Sequence, residues 1–285
     1  MPQSIKQIKN RIRSVENTKK VTNAMQMISV AKLNHIESSL FSLRPYVSRL
    51  GSLMHNLLAL SGELSIDYLR KDQLTRDVAL CLITSDSGLC GAYNQNVIRT
   101  AEDFIREHGE GRVKLILVGQ KGANYFRSKS ADIDNSYIGL NGRFSPQVCS
   151  GVTGELSRLF LEGKVNSVHL AYTYFENSLT HRPVLERLLC IERIKTKPVE
   201  YIIEPDLKTI LADLIPVYLS AKMQLVFLEA FTSEHASRII SMKTATDNAK
   251  ELLGGLLLLR NKLRQAGITQ DILEISSSVE ALKRG

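Results

Sequence analysis

Apolar residues recur at steps of three and four from Leu33 onward, through Ile36, Leu40, Leu43, Val47, Leu50, Met54 and Leu57. The same spacing opens the chain at Ile5, Ile8, Ile12 and Val15, falters over the polar residues 17–20, and resumes at Val21, Met25 and Ile28. A 3-4 alternation held over this length predicts a helix with a coiled-coil seam across residues 1–64. Pro45 lacks the N–H that would reach back one turn. Because the pattern continues past it, a kink is expected there and not an end.

The middle of the chain has a different rhythm. Residues 78–84 (Val-Ala-Leu-Cys-Leu-Ile-Thr) and 113–118 (Val-Lys-Leu-Ile-Leu-Val) are short apolar runs, the first followed by a polar turn at 85–92 and the second closed by Gly119. Such runs read as buried strands. A short third strand is expected at 136–140, with helices at 93–108 and 120–128 between the three. A further helix at 146–161 precedes strands at 167–175 and 184–194. Strands alternating with helices predict a parallel sheet, so residues 77–205 are assigned to a central Rossmann-like α/β domain.

After Glu204-Pro205-Asp206 the pattern is helical again, with Asp206 placed as an N-cap. Its apolar positions include Leu225, Leu228, Phe231, Ile239, Met242, Ala245, Ala249, Leu252, Leu256, Leu259 and Leu263. Gly254, Gly255 and Gly267 each cost roughly 1 kcal/mol against Ala in a helix, which weakens it without ending it. Unbroken from 206 to about 282, the helix would be ~110 Å long, far beyond the ~19 Å radius of gyration of a globule of this length. It is therefore expected to project. Two long seams at opposite ends of one chain pair most economically with each other, antiparallel. The fold class is α/β: a long antiparallel coiled coil of the terminal helices (1–64 and 206–285) plus the central domain.

Charge then sharpens the picture. The chain has 285 residues and a formal net charge of +8. The first fifty residues hold nine bases (Lys6, Lys9, Arg11, Arg13, Lys19, Lys20, Lys32, Arg44, Arg49) against Glu16 and Glu37, which is nearly the whole surplus. A basic arm is either a solvated helix face or a contact for an anionic partner, whether an acidic protein surface or nucleic acid. With no Trp and 6% aromatic residues, a base-stacking surface is disfavoured. Cys81, Cys90, Cys149 and Cys190 are widely spaced without a C-x-x-C pair, which argues against zinc or a disulfide framework. No apolar run approaches the ~20 residues of a membrane span.

Candidate chemistry is sparse. Phosphate-loop, dinucleotide, zinc-protease and serine-elbow motifs are absent, and the six histidines form no ligand-spaced pair. The turn at 84–91, Thr-Ser-Asp-Ser-Gly-Leu-Cys-Gly, follows the first strand where α/β folds bind ligands. Its amides could cradle a phosphate; alternatively Gly88 and Gly91 only make a tight turn. Cys90 reads as a small buried residue or a redox handle. Neither a catalytic residue nor a metal or cofactor site is assigned. A phosphate-binding α/β enzyme and a coiled-coil nucleic-acid binder stand as alternatives.

Three blocks carry a resemblance. Residues 12–27, Ile-Arg-Ser-Val-Glu-Asn-Thr-Lys-Lys-Val-Thr-Asn-Ala-Met-Gln-Met, closely resemble the amino-terminal signature of the gamma subunit of F-type ATP synthases. The 84–91 turn resembles that family's turn after the first strand. Residues 236–248, Ala-Ser-Arg-Ile-Ile-Ser-Met-Lys-Thr-Ala-Thr-Asp-Asn, look like its most distinctive block, and residues 263–275 continue it.

The resemblance implies a non-catalytic central-stalk rotor. Its coiled coil would enter a hexamer of alpha and beta subunits, and its α/β domain would rest on the c-ring and bind the epsilon subunit. Ion flow, of H⁺ or Na⁺, would then be coupled to ATP synthesis or hydrolysis by rotation. The acidic lining of the hexamer becomes the candidate partner of the basic arm, in place of nucleic acid. By the same resemblance Met25, Arg264, Gln265 and Thr269 would meet the beta subunit, and Tyr201 and Glu204 would touch epsilon and the c-ring. Ser87 stands where the family usually has Arg, and Asn23 where Lys is common. These departures, with the shaft glycines, imply a divergent bacterial branch, peripheral on the cytoplasmic side of the cell membrane. With no transit peptide ahead of the signature, a bacterial membrane is expected and not an organelle.

Overall fold

The computed structural model describes residues 5–61, 67–69, 75–109, 111–191 and 203–284, with side chains to 279. The elements in chain order are α1 (Ile5–Leu60), a single 3-10 turn (Asp67–Leu69), β1 (Val78–Ile83), α2 (Tyr93–His108), β2 (Val113–Val118) and α3 (Gln120–Ser128). They continue with β3 (Ile133–Tyr137), α4 (Pro146–Leu161), β4 (Ser167–Phe175), β5 (His181–Leu189) and α5 (Leu207–Arg284). The chain forms two compact units, one of Ser29–Ile239 and one of Met1–Ile28 with Ile240–Gly285.

In the Ser29–Ile239 unit the strands lie in the order β3-β2-β1-β4-β5. The first four are parallel and β5 returns antiparallel on β4. All six residues of β1 are buried, as expected of a strand covered on both faces. Its alternation divides the core. Val78, Leu80 and Leu82 pack with Val97, Ala101 and Phe104 of α2 and Phe126 of α3. Ala79, Cys81 and Ile83 face the other way, with Leu156 and Phe160 of α4, Leu40 and Met54 of α1, and Phe227 and Phe231 of α5. The third strand lies three residues earlier than its apolar pattern suggests, at 133–137 and not 136–140. Past Tyr137 the backbone turns through Gly139 (φ +87°) and Asn141 (φ +50°), and the Asp86 carboxylate takes both their amides. β5 begins at His181 and not Val184, because the Asn177 side chain accepts from the Leu179 and Thr180 amides and closes the hairpin early. β5 also ends at Leu189, short of the expected 194, with Cys190 and Ile191 already out of the strand; residues 192–194 lie outside the described residues.

α1 runs through Pro45 without a break, and α5 runs likewise through Pro216. In the unit built from the chain ends, Ile8 and Ile12 pack with Leu253 and Leu256, flanked by Val15 and Leu263. Thr22 meets Thr246 at 2.7 Å. As α1 advances its partners on α5 recede, so the pairing is antiparallel. The seam does not falter at 17–20. It continues in phase from Val15 through half-buried Lys19 to Thr22, then to Met25 and Ser29. Thr22 and Ser29 are 7% and 2% exposed, whereas Val21 and Ile28 are 57% and 58% exposed. The expected Val21–Ile28 register is thus corrected by one residue: hydroxyls occupy the seam, because they can bond across it or to their own helix.

Candidate functional site

The turn after β1 is held from three directions. Asp86 accepts from the amides of Gln120 (2.9 Å), Gly139 (3.1 Å) and Asn141 (2.6 Å). Gln120 opens α3, so this carboxylate occupies the anion position that a helix N-terminus offers. The Ser85 amide is taken by Asn94 at 2.9 Å. Gly119, at φ +95°, is required here, since a Cβ on it would lie 2.2 Å from the Thr84 carbonyl oxygen. The crevice at the carboxyl end of the parallel strands is filled by the chain's own acid.

The third support comes from α5, and it is one the sequence reading missed. Arg238 donates to the carbonyls of Ser87 (3.2 Å) and Gly88 (3.3 Å) and to the Ser87 hydroxyl (3.0 Å). It pairs with Glu234 one turn earlier at 2.8 Å. Arg238 also donates to Nδ1 of His235 (3.3 Å), so that ring is neutral and its Nε2–H donates to the Gly142 carbonyl at 3.0 Å. Burial, reinforced by the nearby Arg238 and Lys32 charges against the Gly142 bond, lowers the His235 pKa to about 4. Burial also raises the Glu234 carboxyl, against the pull of Arg238. Ser237 donates to the Cys90 carbonyl (2.7 Å), and Tyr93 to that of Ala230 (3.0 Å). Cys90 itself is buried and receives the Asn94 amide at 3.1 Å. The available signal was the polar run 232–238 just after the apolar stretch 225–228: Thr232, Ser233, Glu234, His235, Ser237 and Arg238 are all buried.

The basic arm divides by role. Lys6, Lys9, Arg11, Arg13 and Lys20 are exposed along α1. Lys32 is instead spent inside its unit, donating to the Asn141 carbonyl at 2.8 Å. It borders a cavity of about 590 Å³ together with His35, Arg143, Ile36, Phe144 and Leu228. Arg44 is bound to Glu229 of α5 by two contacts of 2.8 Å.

Of the residues singled out from sequence, Arg264, Gln265 and Thr269 are exposed neighbours on α5, Thr269 donating to the Gln265 carbonyl at 3.0 Å. Met25 is half-buried on α1. It lies one turn beyond the Thr22–Thr246 pair, and Arg264 lies ~27 Å along α5 from Thr246 at 1.5 Å per residue, so the structure does not bring the two sets together. Glu204 is exposed; Tyr201 lies outside the described residues. Among the described residues no group of three His, Cys, Asp or Glu side chains is placed to hold a metal ion.

One unit is thus an α/β protein whose crevice is plugged by its own carboxylate, and the other is an antiparallel pair of terminal helices. A family model described as ATP synthase matches residues 4–282. The ATP synthase gamma chain of Anaeromyxobacter sp. (strain Fw109-5) is 33% identical, covering 98% of this chain and 99% of its own. That of Cyanothece sp. (strain PCC 7425) is 35% identical with the same coverage. Among solved structures, a chain of the Euglena gracilis mitochondrial ATP synthase OSCP/F1/c-ring aligns over 98% of this chain and 94% of its own, with a TM-score of 0.68 at 17% identity. A chain of the Tetrahymena thermophila central stalk and c-ring covers 79% of this chain and 99% of its own, with a TM-score of 0.62 at 21% identity. At those identities the structural likeness speaks for the fold alone. The chain belongs to the ATP synthase gamma chain family. A gamma chain is the non-catalytic rotor subunit of its complex, whose catalysis lies on the beta subunits.

Proposed function

We propose that this chain is the rotating shaft between a c-ring and an alpha/beta hexamer, coupling ion flow to nucleotide turnover while making no bond itself. The observation that carries the reading is an apolar seam left open on α5. Ile268, Ile272, Ile275 and Val279 keep the 4-3-4 spacing, yet are 51%, 60%, 66% and 47% exposed. Counting antiparallel from the Thr22–Thr246 pair, Ile5 falls opposite about residue 263 at equal rise per residue. The seam thus continues past the described part of α1, and a surrounding protein ring would cover it. The exposed bases of α1 suit an acidic lining of that ring, which they would meet through long-range attraction.

In this reading Met25, Arg264, Gln265 and Thr269 contact beta subunits at two levels of the shaft. Tyr201 and Glu204 contact epsilon and the c-ring at its foot. The assembly would be peripheral on the cytoplasmic side of a bacterial membrane, in keeping with the bacterial relatives. Different faces of the shaft would favour different beta conformations, which is differential binding of states. The phosphate-binding alternative is not favoured, because Asp86 already takes the amides such a ligand would need.

The test is to add the chain to a gamma-depleted complex in vesicles. ATP-driven ion pumping is expected to return with the full chain and not with one truncated after Pro205. Hydrolysis restored equally by both would refute the coupling role. Met25→Lys would place a charge at a half-buried shaft position, and ions pumped per ATP should fall; unchanged pumping would remove Met25 from the contact.

A further inference from the structure

β4 is longer than its parallel neighbour. The β1 pairing ends with Leu82 opposite Ala171, whereas β4 continues to Phe175. On its other side β5 pairs as far as Phe175 opposite His181. The flank turned toward β1 therefore has backbone groups with no strand to receive them over residues 172–175. Side chains of the long helices take that place. Ser233 of α5 donates to the Thr173 carbonyl at 3.1 Å. Two residues on, the Phe175 amide donates to Glu229 of α5 at 2.9 Å, and the Phe175 carbonyl accepts from the Arg44 guanidinium of α1. Arg44 and Glu229 are also bonded to each other through both arms of the guanidinium fork, Nε to Oε1 and Nη2 to Oε2, each at 2.8 Å.

The environment makes this a rigid junction. The Glu229 side chain is 2% exposed and that of Arg44 23%. The guanidinium carbon lies 4.9 Å from the centroid of the Tyr174 ring and 5.4 Å from that of Phe41. A planar fork held by a bidentate carboxylate and two aromatic faces has little freedom to rotate. Arg44 also immediately precedes Pro45, where α1 lacks one of its own backbone hydrogen bonds. At that weakened turn α1 is tied both to α5 and to the sheet.

We propose that Arg44 and Glu229 are positioning residues for torque transfer. With the Phe175 backbone they form the joint through which load passes between the α/β sheet and both shaft helices together. The inference rests on the rotor reading above and deepens it. A shaft clamped only by apolar packing can slip under load, because such contacts are non-directional. Two charge-assisted hydrogen bonds on the Phe175 backbone, backed by two more between Arg44 and Glu229, resist shear in a defined direction.

The test uses the complete complex in vesicles, carrying the double variant Arg44→Met/Glu229→Leu. Replacing a buried ion pair by apolar residues of similar volume commonly preserves stability; here the freed Phe175 amide and carbonyl take some of it back, but both faces of the sheet keep their apolar cores, so folding and assembly should survive. Without an opposing gradient the variant is expected to hydrolyse ATP close to the wild-type rate. The ion gradient it can build before pumping stalls should fall severalfold, and exchange of the Phe175 amide with deuterated water should speed up. Arg44→Lys, which keeps the charge and loses the fork, should restore part of the stall gradient.

A stall gradient equal to wild type in the double variant overturns the proposal. So does a loss of hydrolysis and stall gradient in the same proportion, which would mark a pair needed only for folding. If the wild-type chain itself restores hydrolysis without pumping, it is the rotor reading that fails and not the joint.

Discussion

The hydroxyls of Thr22 on α1 and Thr246 on α5 lie 2.7 Å apart inside the seam. Each also bonds its own helix, Thr22 to the Lys19 carbonyl at 3.1 Å and Thr246 to that of Met242 at 2.8 Å. Three contacts share two hydroxyl protons, so each oxygen keeps a partner if the other is removed. Thr22→Val and Thr246→Val should therefore each cost less than ~1 kcal/mol, and the double variant should equal or exceed wild type. Thermal unfolding of the four proteins closes the cycle. A single-variant loss above ~2 kcal/mol would mean the hydroxyls act as an obligatory pair.

Asp86 acts as the anion of its own crevice. Asp86→Ala should cost roughly 2–3 kcal/mol, the scale of a charge-assisted hydrogen-bond network, and should leave three amides pointing at an empty position. Millimolar phosphate should then raise the melting temperature of the variant and leave that of wild type unchanged. Equal stabilisation of both would revive the phosphate-binding alternative.

Two buried histidines link stability to pH. Burial lowers both His235 and His169 from 6.5 to about 4. Between those values the unfolded chain holds a proton that the folded chain refuses, so stability rises with pH. It is complete above 6.5 and is lost as pH falls toward 4. The full effect is about 3 kcal/mol for His235, and less for His169, which lies nearer solvent. Urea titrations across this range should show the decline, and His235→Gln should flatten it. A slope unchanged in that variant would assign the effect to His169 and the carboxylates and not to His235.

Gly254 and Gly255 lie in mid-helix on α5, where an added Cβ would meet nothing within 4 Å. Alanine at either should stabilise the helix by roughly 1 kcal/mol through lower backbone entropy in the unfolded chain. Hydrogen exchange of the surrounding amides measures it directly. Slower exchange is expected; faster exchange would show that the glycines relieve a strain.

The local rhythm of the chain was enough to place α2, α3 and α4 and the buried strands β1 and β2. Amphipathic spacing and short apolar runs are properties of neighbouring residues, and the water-avoiding face they create is the same wherever it packs. The antiparallel pairing of the terminal helices followed for the same reason, since each seam needed a mate. What the sequence could not show was where polar side chains are buried. Thr22 and Ser29 lie in the seam while Val21 and Ile28 face outward, because the phase set by Ile8, Ile12 and Val15 turns positions 22 and 29 inward, and a bonded hydroxyl such as that of Thr22 is tolerated there. Arg238 reaches the 87–88 carbonyls, Asp86 closes the crevice and displaces the third strand, and Arg44 meets Glu229 at the end of β4. Each of these joins residues far apart in the chain. A buried polar group is tolerable only when its partner is present, and that partner is supplied by the tertiary structure alone.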